Sequence, residues 1–506
     1  MRPIGRREFL RTSGLALAAL GTSNLLSGRL FADSPPPANV FSERYGISPA
    51  DMRRVLDAAM SKGGGFADLF FEYTITNTVL MEEGIVKTAS ENIAMGVGVR
   101  VLKDDQTGFA YTNDLTLKGM TAAALTAAAI SSSAKAGIAA DLRVVPPGQQ
   151  LYDLKRIVCE EELGNKLDLV RAAYDGAKSH DQRIVLAQAF LLDSLQQVTI
   201  ANSEGLLTSD TRPQAILYAV AVASDGTNQT QCYRSSGGRA GYEHFVVEEP
   251  ARETGRKAAE NAITLLSAQD AVAGEQTVVL GAGHSGVMIH EAVGHPFEGD
   301  GIRKETSIFW DKLGQQVARP IVNIYDDGTI PHSRGSLNID DEGRPTEKTM
   351  LVENGKLVGF LHDRLNAGLM SQRPTGNGRR QSYQNYPIPR MRNTFLAQGE
   401  TTPEEIIRSV KKGFYAETFE GGNVMPSGKF TFSVNVGYLI EDGALTRPVR
   451  NATLIGTNVD ILNEVSMIGN DMGVFLGTCG KEGQFVPVTA GTPTMKIDRM
   501  TVGGRS

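Results

Sequence analysis

The sequence predicts an α+β fold in two domains: an N-terminal mixed α/β domain and a β-rich C-terminal domain. Three observations carry this. A chain of 506 residues is longer than one hydrophobic core usually organises. Helical and strand periodicities mix in the first half, with the strands spaced as antiparallel hairpins rather than βαβ units. The second half is a succession of short apolar runs punctuated by two-residue turn signals.

The chain opens with a twin-arginine pattern, Arg6-Arg7-Glu8-Phe9-Leu10-Arg11, then a weakly apolar stretch from Leu15 to Leu20 and a small-residue region ending at Leu30-Phe31-Ala32. Residues 1–32 read as an export signal cut after Ala32, against the blander alternative of a basic amphipathic helix. The expected location is the periplasm. That cut removes five arginines and one glutamate, so formal net charge falls from −6 to −10. Residues 33–40, with Ser34-Pro35-Pro36-Pro37, read as a stiff linker. The acidic balance argues against a nucleic-acid partner. No internal apolar run reaches the length of a bilayer span, so no stable membrane anchor is expected.

The N-terminal domain is expected over 41–250. Met52, Val55, Leu56, Ala59 and Met60 share one face of a helix over 49–62. Strands follow over 67–73 and 78–81, with Glu83-Gly84 as a turn, then over 95–103 and 108–111. The alanine-rich 115–140 predicts one helix or two, and 167–180 another. Strands over 184–202 and 215–223 flank the turn Glu204-Gly205. The C-terminal domain is expected over 251–506, led by a helix over 252–267. Its strand candidates are 278–280, 322–325, 349–352, 357–361 and 430–440. Asp327-Gly328, Glu342-Gly343, Asn354-Gly355 and Asp442-Gly443 are its hairpin signals. Thr402 caps one further helix, over 402–412, with Glu404 and Glu405 in its first turn.

Two motifs compete at the head of this domain. Gly281-Ala282-Gly283-His284-Ser285-Gly286 matches the glycine pattern of a dinucleotide-binding turn. The surroundings are hairpin-rich, and Gly294-His295-Pro296 stops the following helix early, so a tight strand-to-helix turn is the better reading. The second motif is His290-Glu291-Ala292-Val293-Gly294-His295. Imidazole is a preferred zinc ligand, and a carboxylate beside a metal site can take a proton from water. These histidines stand at i and i+5, which an ideal helix would splay by ~140°. Either a π-type widening or a helix end before His295 must bring them together; Gly294 and Pro296 supply the breakers. The bland alternative makes His290 a core residue and His295 a helix cap.

Two imidazoles are too few for a catalytic zinc, which usually takes three protein ligands. The three cysteines, Cys159, Cys232 and Cys479, are too scattered for a disulfide framework. Cys479, in Gly477-Thr478-Cys479-Gly480-Lys481-Glu482-Gly483, is the best third candidate because its glycines let a loop approach an ion; a lone cysteine is otherwise a small core residue. Arg379 and Arg380 are candidates for binding a carboxylate or, equally, for a solvated basic turn.

Taken together these residues resemble the TldD/PmbA family of metallopeptidases, specifically its TldD-type catalytic subunit. The match comprises the histidine motif with Glu298-Gly299-Asp300, the run from Ser336 to Asp341, Pro374-Thr375-Gly376-Asn377-Gly378-Arg379-Arg380, the Cys479 run and Thr501-Val502-Gly503-Gly504. The resemblance implies that the C-terminal domain carries the metal. It implies His290, His295 and Cys479 as ligands of one Zn2+ per active subunit, other divalent ions not being excluded, and Glu291 as general base. It also implies unfolded or flexible peptides as substrates, and a heterodimer with a PmbA/TldE-type subunit or a homodimer. An export signal departs from the family's usual setting. The rival readings are a non-catalytic peptide-binding or assembly subunit and a metal-dependent esterase or deacylase.

Overall fold

After a short helix over Val40–Tyr45, Ser48 begins α1 (Pro49–Met60) with a capping box: its side chain accepts from Asp51 N–H while Asp51 accepts from Ser48 N–H. The predicted apolar face, Met52 to Met60, is buried. The computed structural model describes residues 40–130, 137–247, 249–425 and 427–504. The export signal and the linker through residue 39 lie outside the described residues.

β1 (Phe66–Glu82) and β2 (Ile85–Lys103) form one long hairpin, not the broken strands expected. Glu83 and Gly84 both take positive φ, 49° and 72°, as a two-residue turn matched to strand twist requires. β3 (Gln106–Thr112) pairs with β2, and α2 (Leu117–Ala128) starts at Thr116, whose side chain accepts from Gly119 N–H. The alanine-rich helix is therefore shorter than its composition predicts. Beyond residues 131–136, which are outside the description, Gly137 N–H bonds to Met60 O, Ala139 N–H to Asp57 and Ala140 N–H to Ser203 O. These tertiary bonds override intrinsic helix propensity.

α3 (Leu163–Lys178), β4 (Ile184–Asn202), β5 (Leu206–Ser224), β6 (Gln229–Gly238) and α4 (Pro250–Leu266) complete the first half. One seven-stranded sheet runs β3-β2-β1-β4-β5, with β6 and the short Arg143–Val144 also pairing β5. α4, placed by the sequence reading at the head of the second domain, packs on this sheet beside α3. It brings Ala251, Ala258, Ala259, Ala262 and Leu265 into a core with Ala173, Ala187 and Ala219. The helices approach closely because a Cβ at Gly255 would stand 1.9 Å from Ala173 O.

The second half is strand-rich, as predicted. β7 (Gly274–Leu280) leads into the short helix α5 (Gly286–Ile289). The strands that follow are β8 (Ile324–Asp327), β9 (Lys348–Glu353), β10 (Asn393–Leu396), β11 (Lys412–Val424), β12 (Lys429–Glu441), β13 (Ala452–Thr457), β14 (Gly473–Lys481), β15 (Gln484–Thr492) and β16 (Met495–Gly503). β11, β7, β16, β13 and β12 pair in that order, and β12 pairs back to β11, closing a barrel. A six-stranded sheet beside it runs Lys356–Leu357, β9, β8, β10, β15, β14. Val278, Leu280, Met288, Phe414, Phe432, Val488 and Ile497 belong to the core these elements share.

Asn354-Gly355 and Asp442-Gly443 turn hairpins with both residues at positive φ, as read from sequence. Asp327-Gly328 does not. β8 pairs β9, twenty-odd residues on, while Asp327 Oδ1 accepts from Thr329 N–H in a local turn. The Thr402 helix is real but short, Pro403–Arg408, with the box closed by Glu405.

Candidate metal centre

The Gly281–Gly286 turn is a packing device. Gly283 holds φ 87°, and a Cβ at Gly286 would stand 2.8 Å from the Ala490 carbonyl carbon, so the turn lies against the β14–β15 hairpin. β7 is flanked by β11 in parallel and β16 antiparallel, without the βαβ crossover a dinucleotide site requires.

α5 then continues as a π-turn over His290–Gly294 and a 3-10 turn over His295–Phe297. His295 N–H bonds to His290 O, an i+5 bond that widens the helix by one residue and returns both imidazoles to one face. Of the two remedies predicted, the structure uses this one. His295 remains helical, at φ −59° and ψ −45°, despite Pro296. The ring centroids are 5.2 Å apart. Gly294 lies against Met391: a Cβ there would stand 1.7 Å from Met391 Sδ, so that side chain would have to shift.

β14 brings the third residue. Cys479 Sγ lies 3.3 Å from His295 Nε2, and one ligand atom from each of His290, His295 and Cys479 falls within 4.8 Å of the others. Both nitrogens of buried His290 lack hydrogen-bond partners. Buried polar atoms are rarely left so, and imidazole and thiolate form a fitting donor set for a divalent ion. The residues present fit a metal.

A shell of charge supports them. His295 Nδ1 is 3.0 Å from Glu298 Oε2, which fixes the ring so that Nε2 faces Cys479. Lys481, two residues beyond Cys479 and so on the same face of β14, lies 3.0 Å from Glu298 and 2.7 Å from Asp300. Burial alone would raise the Glu298 carboxyl, but Lys481 and His295 hold it down to about 2. Burial likewise opposes ionisation of Cys479, yet the two imidazoles hold its thiol down to about 4. Cys159 and Cys232, also free, are pushed up to about 12, first by burial.

Glu291, Glu298, Asp300, Asn423 and Lys481 line a cleft of about 480 Å3 together with His295. Of the four predicted residues, His290, His295 and Cys479 cluster, and His295 and Glu291 line the cleft. Arg379 and Arg380 do not join them, nor do they form a solvated turn. Both are buried: Arg379 donates to Met391 O and Pro487 O, and Arg380 lies 3.3 Å from Asp68. The Ser336–Asp341 run is also structural, with Asp341 2.6 Å from Arg212 and Asn338 donating to Asp210. Arg390 escaped the sequence reading. Its Nη2 donates to Cys479 O at 2.6 Å and to Sγ at 3.1 Å. Nothing in Pro389-Arg390-Met391-Arg392 signals that role.

Comparison with known proteins agrees along the chain. Models for the PmbA/TldA metallopeptidase family match in three pieces: domain 1 over residues 67–131, the central domain over 160–266 and the C-terminal domain over 273–504. The first two pieces share the seven-stranded sheet, joined by the β1–β4 pairing. A metalloprotease TldD homolog of Haemophilus influenzae is 38% identical over 470 residues, covering 90% of this chain and 97% of that protein. A zinc metalloprotease TldD homolog of Saccharolobus solfataricus is 27% identical, covering 90% and 100%. The crystal structure of TldE from Thermococcus kodakarensis shares the fold, with a TM-score of 0.72 at 19% identity over 90% of this chain and all of that one. The chain therefore belongs to the PmbA/TldD family of metallopeptidases, and within it resembles the TldD homologues.

Proposed function

We propose that this chain is a zinc-dependent peptidase of unfolded or flexible peptides, with His290, His295 and Cys479 as metal ligands and Glu291 as general base. The observation that carries the reading is the convergence of those three side chains beside a cleft that His295 and Glu291 line, with both His290 nitrogens unpartnered. A divalent ion held there would supply the Lewis acidity that polarises an amide carbonyl and activates water. The zinc named in the Saccharolobus solfataricus relative supports the choice of ion.

The protein's own groups do the rest. Glu298 and Lys481 fix the His295 ring. Glu291, adjacent to His290 and facing the cleft, accepts a proton from the attacking water as its oxygen adds to the carbonyl carbon. It returns that proton to the amine as the carbon–nitrogen bond breaks. A carboxylate so placed favours an enzyme over a non-catalytic assembly subunit. β14 stands at the edge of its sheet, where an extended peptide can add through main-chain hydrogen bonds with loose sequence preference. Such an edge favours a peptide over a small ester.

The likeness to TldE supports a partner subunit of that type, or a second copy of this chain. The twin-arginine segment supports export in the folded, metal-loaded state, which suits a thiolate ligand loaded in a reducing compartment. The deciding experiment is elemental analysis of the purified protein with a peptide-library cleavage assay, with and without chelator. One zinc per chain and chelator-sensitive cleavage are expected. A metal-free protein that cleaves equally well would overturn the reading.

A further inference from the structure

Arg390 lies between the short strand Ile388–Pro389 and β10, and its side chain is fully buried. Nη2 is shared between the carbonyl oxygen of Cys479, 2.6 Å away, and its sulfur, 3.1 Å away, while Nη1 donates to Gln484 O across the β14–β15 hairpin at 3.3 Å. Among the described residues the hydrogen bonds of its guanidinium go to Cys479 and Gln484 alone, and Nε has no partner. A buried guanidinium is costly unless anions lie close; the Glu298 carboxylate is near enough for Arg390 to help lower it, but among the described residues no hydrogen bond joins them. The anionic group its hydrogen bonds reach is the Cys479 sulfur.

We infer that Arg390 is a positioning residue for the Cys479 thiolate, holding the sulfur toward His290 and His295 and withdrawing charge from it. This rests on the metal-site reading above. A thiolate donates more charge to a bound ion than a third imidazole does, and so weakens it as a Lewis acid. An N–H···S bond from a cation offsets that donation. The forked guanidinium reaches the sulfur, the carbonyl of the same residue and the opposite strand at once, so side chain and backbone are held in one geometry. A lysine ammonium is a point charge on a flexible stem and cannot reproduce that span.

The test uses the full chain loaded with Co2+, whose thiolate-to-cobalt absorption reports the charge on the sulfur. In Arg390→Lys and Arg390→Gln the band should move to longer wavelength, because a less neutralised sulfur gives up its electron more readily. Cobalt affinity should fall about 10- to 100-fold, the usual cost of losing a group that supports a ligand, with Arg390→Lys the milder. Folded variants with the parent's near-UV circular dichroism, an unmoved band and unchanged affinity would sink the proposal, leaving Arg390 as a prop for the hairpin. If neither variant folds, arginine-15N-labelled parent protein carries the test. Once cobalt is bound, the Arg390 Nη protons must show a contact shift through the N–H···S bond, and their absence overturns the inference. A parent chain without any thiolate band fails the metal-site reading itself, a distinct result.

Discussion

Where the N-terminal sheet meets the second half, charge is buried in matched sets. Arg100 Nε donates to Asp68 at 2.7 Å, and Nη2 lies 2.8 Å from Glu342. Arg212 reaches Asp210 at 3.0 Å, Asp341 at 2.6 Å and Ile339 O at 2.8 Å. At the cleft the inventory is equally ionic but incomplete. Lys481 pairs with Glu298 Oε2 and with Asp300, but Glu298 Oε1 and both His290 nitrogens have no hydrogen-bond partner, and the Cys479 sulfur faces two imidazoles and one guanidinium. Burying charge costs free energy in both places. At the join the cost is met by countercharge already in the chain; on the metal-site reading proposed above, a bound cation would meet it at the cleft. Burial and ionic character therefore do not separate a site from a scaffold. A cluster of ligand atoms within 4.8 Å of one another, with one of its imidazoles unpartnered, does.

The sharpest way to break that comparison is to remove a donor. Cys479→Ala should abolish stoichiometric zinc and, with it, all cleavage, while the join stays intact and the protein folds. Zinc measured by atomic emission at one per chain in this variant would exclude Cys479 as a ligand. The next effect separates binding from chemistry. Glu291→Gln should keep its zinc and lose about 10²- to 10⁴-fold in kcat, the usual range for a general base. Full activity in that variant, by the same peptide assay, would remove Glu291 from the mechanism.

Which parts of this were legible follows from the range of the interactions. The His290–His295 pair was readable because its spacing violates the helix period within six residues; the violation demanded a distortion, and the structure supplies the π-turn of the two that were open. The hairpins at Glu83-Gly84 and around Glu204-Gly205 were readable because two or three residues set each turn. Cys479 was readable only through its glycine-flanked run and the family resemblance, since 184 positions separate it from the nearer histidine. Arg390 was not readable, nor were Arg379 and Arg380 as buried residues, because composition marks arginine as a surface residue and only the assembled sheets supply its acceptors. Alanine content misjudged 115–140 for the same reason: the bonds that hold Gly137, Ala139 and Ala140 come from α1 and from the loop after β4.

The join predicts a different response. Arg100→Met should leave zinc content and the cobalt spectrum unchanged while lowering stability by about 3–5 kcal/mol, because Asp68 and Glu342 lose a buried countercharge. Thermal unfolding and metal analysis on one preparation check both halves. Loss of metal without loss of stability would show that the two regions are not independent.

The smallest effect tests whether the join is fully matched. Asp363 caps the helix Arg364–Leu369 by accepting from Asn366 N–H, and burial, reinforced by Glu342, raises its carboxyl to about 7. A folded-state value raised above the unfolded one means that the native protein holds the proton more tightly. Asp363 therefore adds stability that is full below the ordinary carboxylate range and is lost as pH climbs from there through about 7. The Asp363→Asn variant keeps the cap, since an amide oxygen accepts as the carboxylate does, and it carries no charge to desolvate. It should gain on the parent as pH rises from about 4 to about 8, by on the order of 2 kcal/mol, at about 1.4 kcal/mol per pKa unit with allowance for Arg100 nearby. Melting temperatures across that range provide the measurement. An offset that stays constant with pH would mean that the Asp363 charge is already compensated, and that the join holds no strained carboxylate at all.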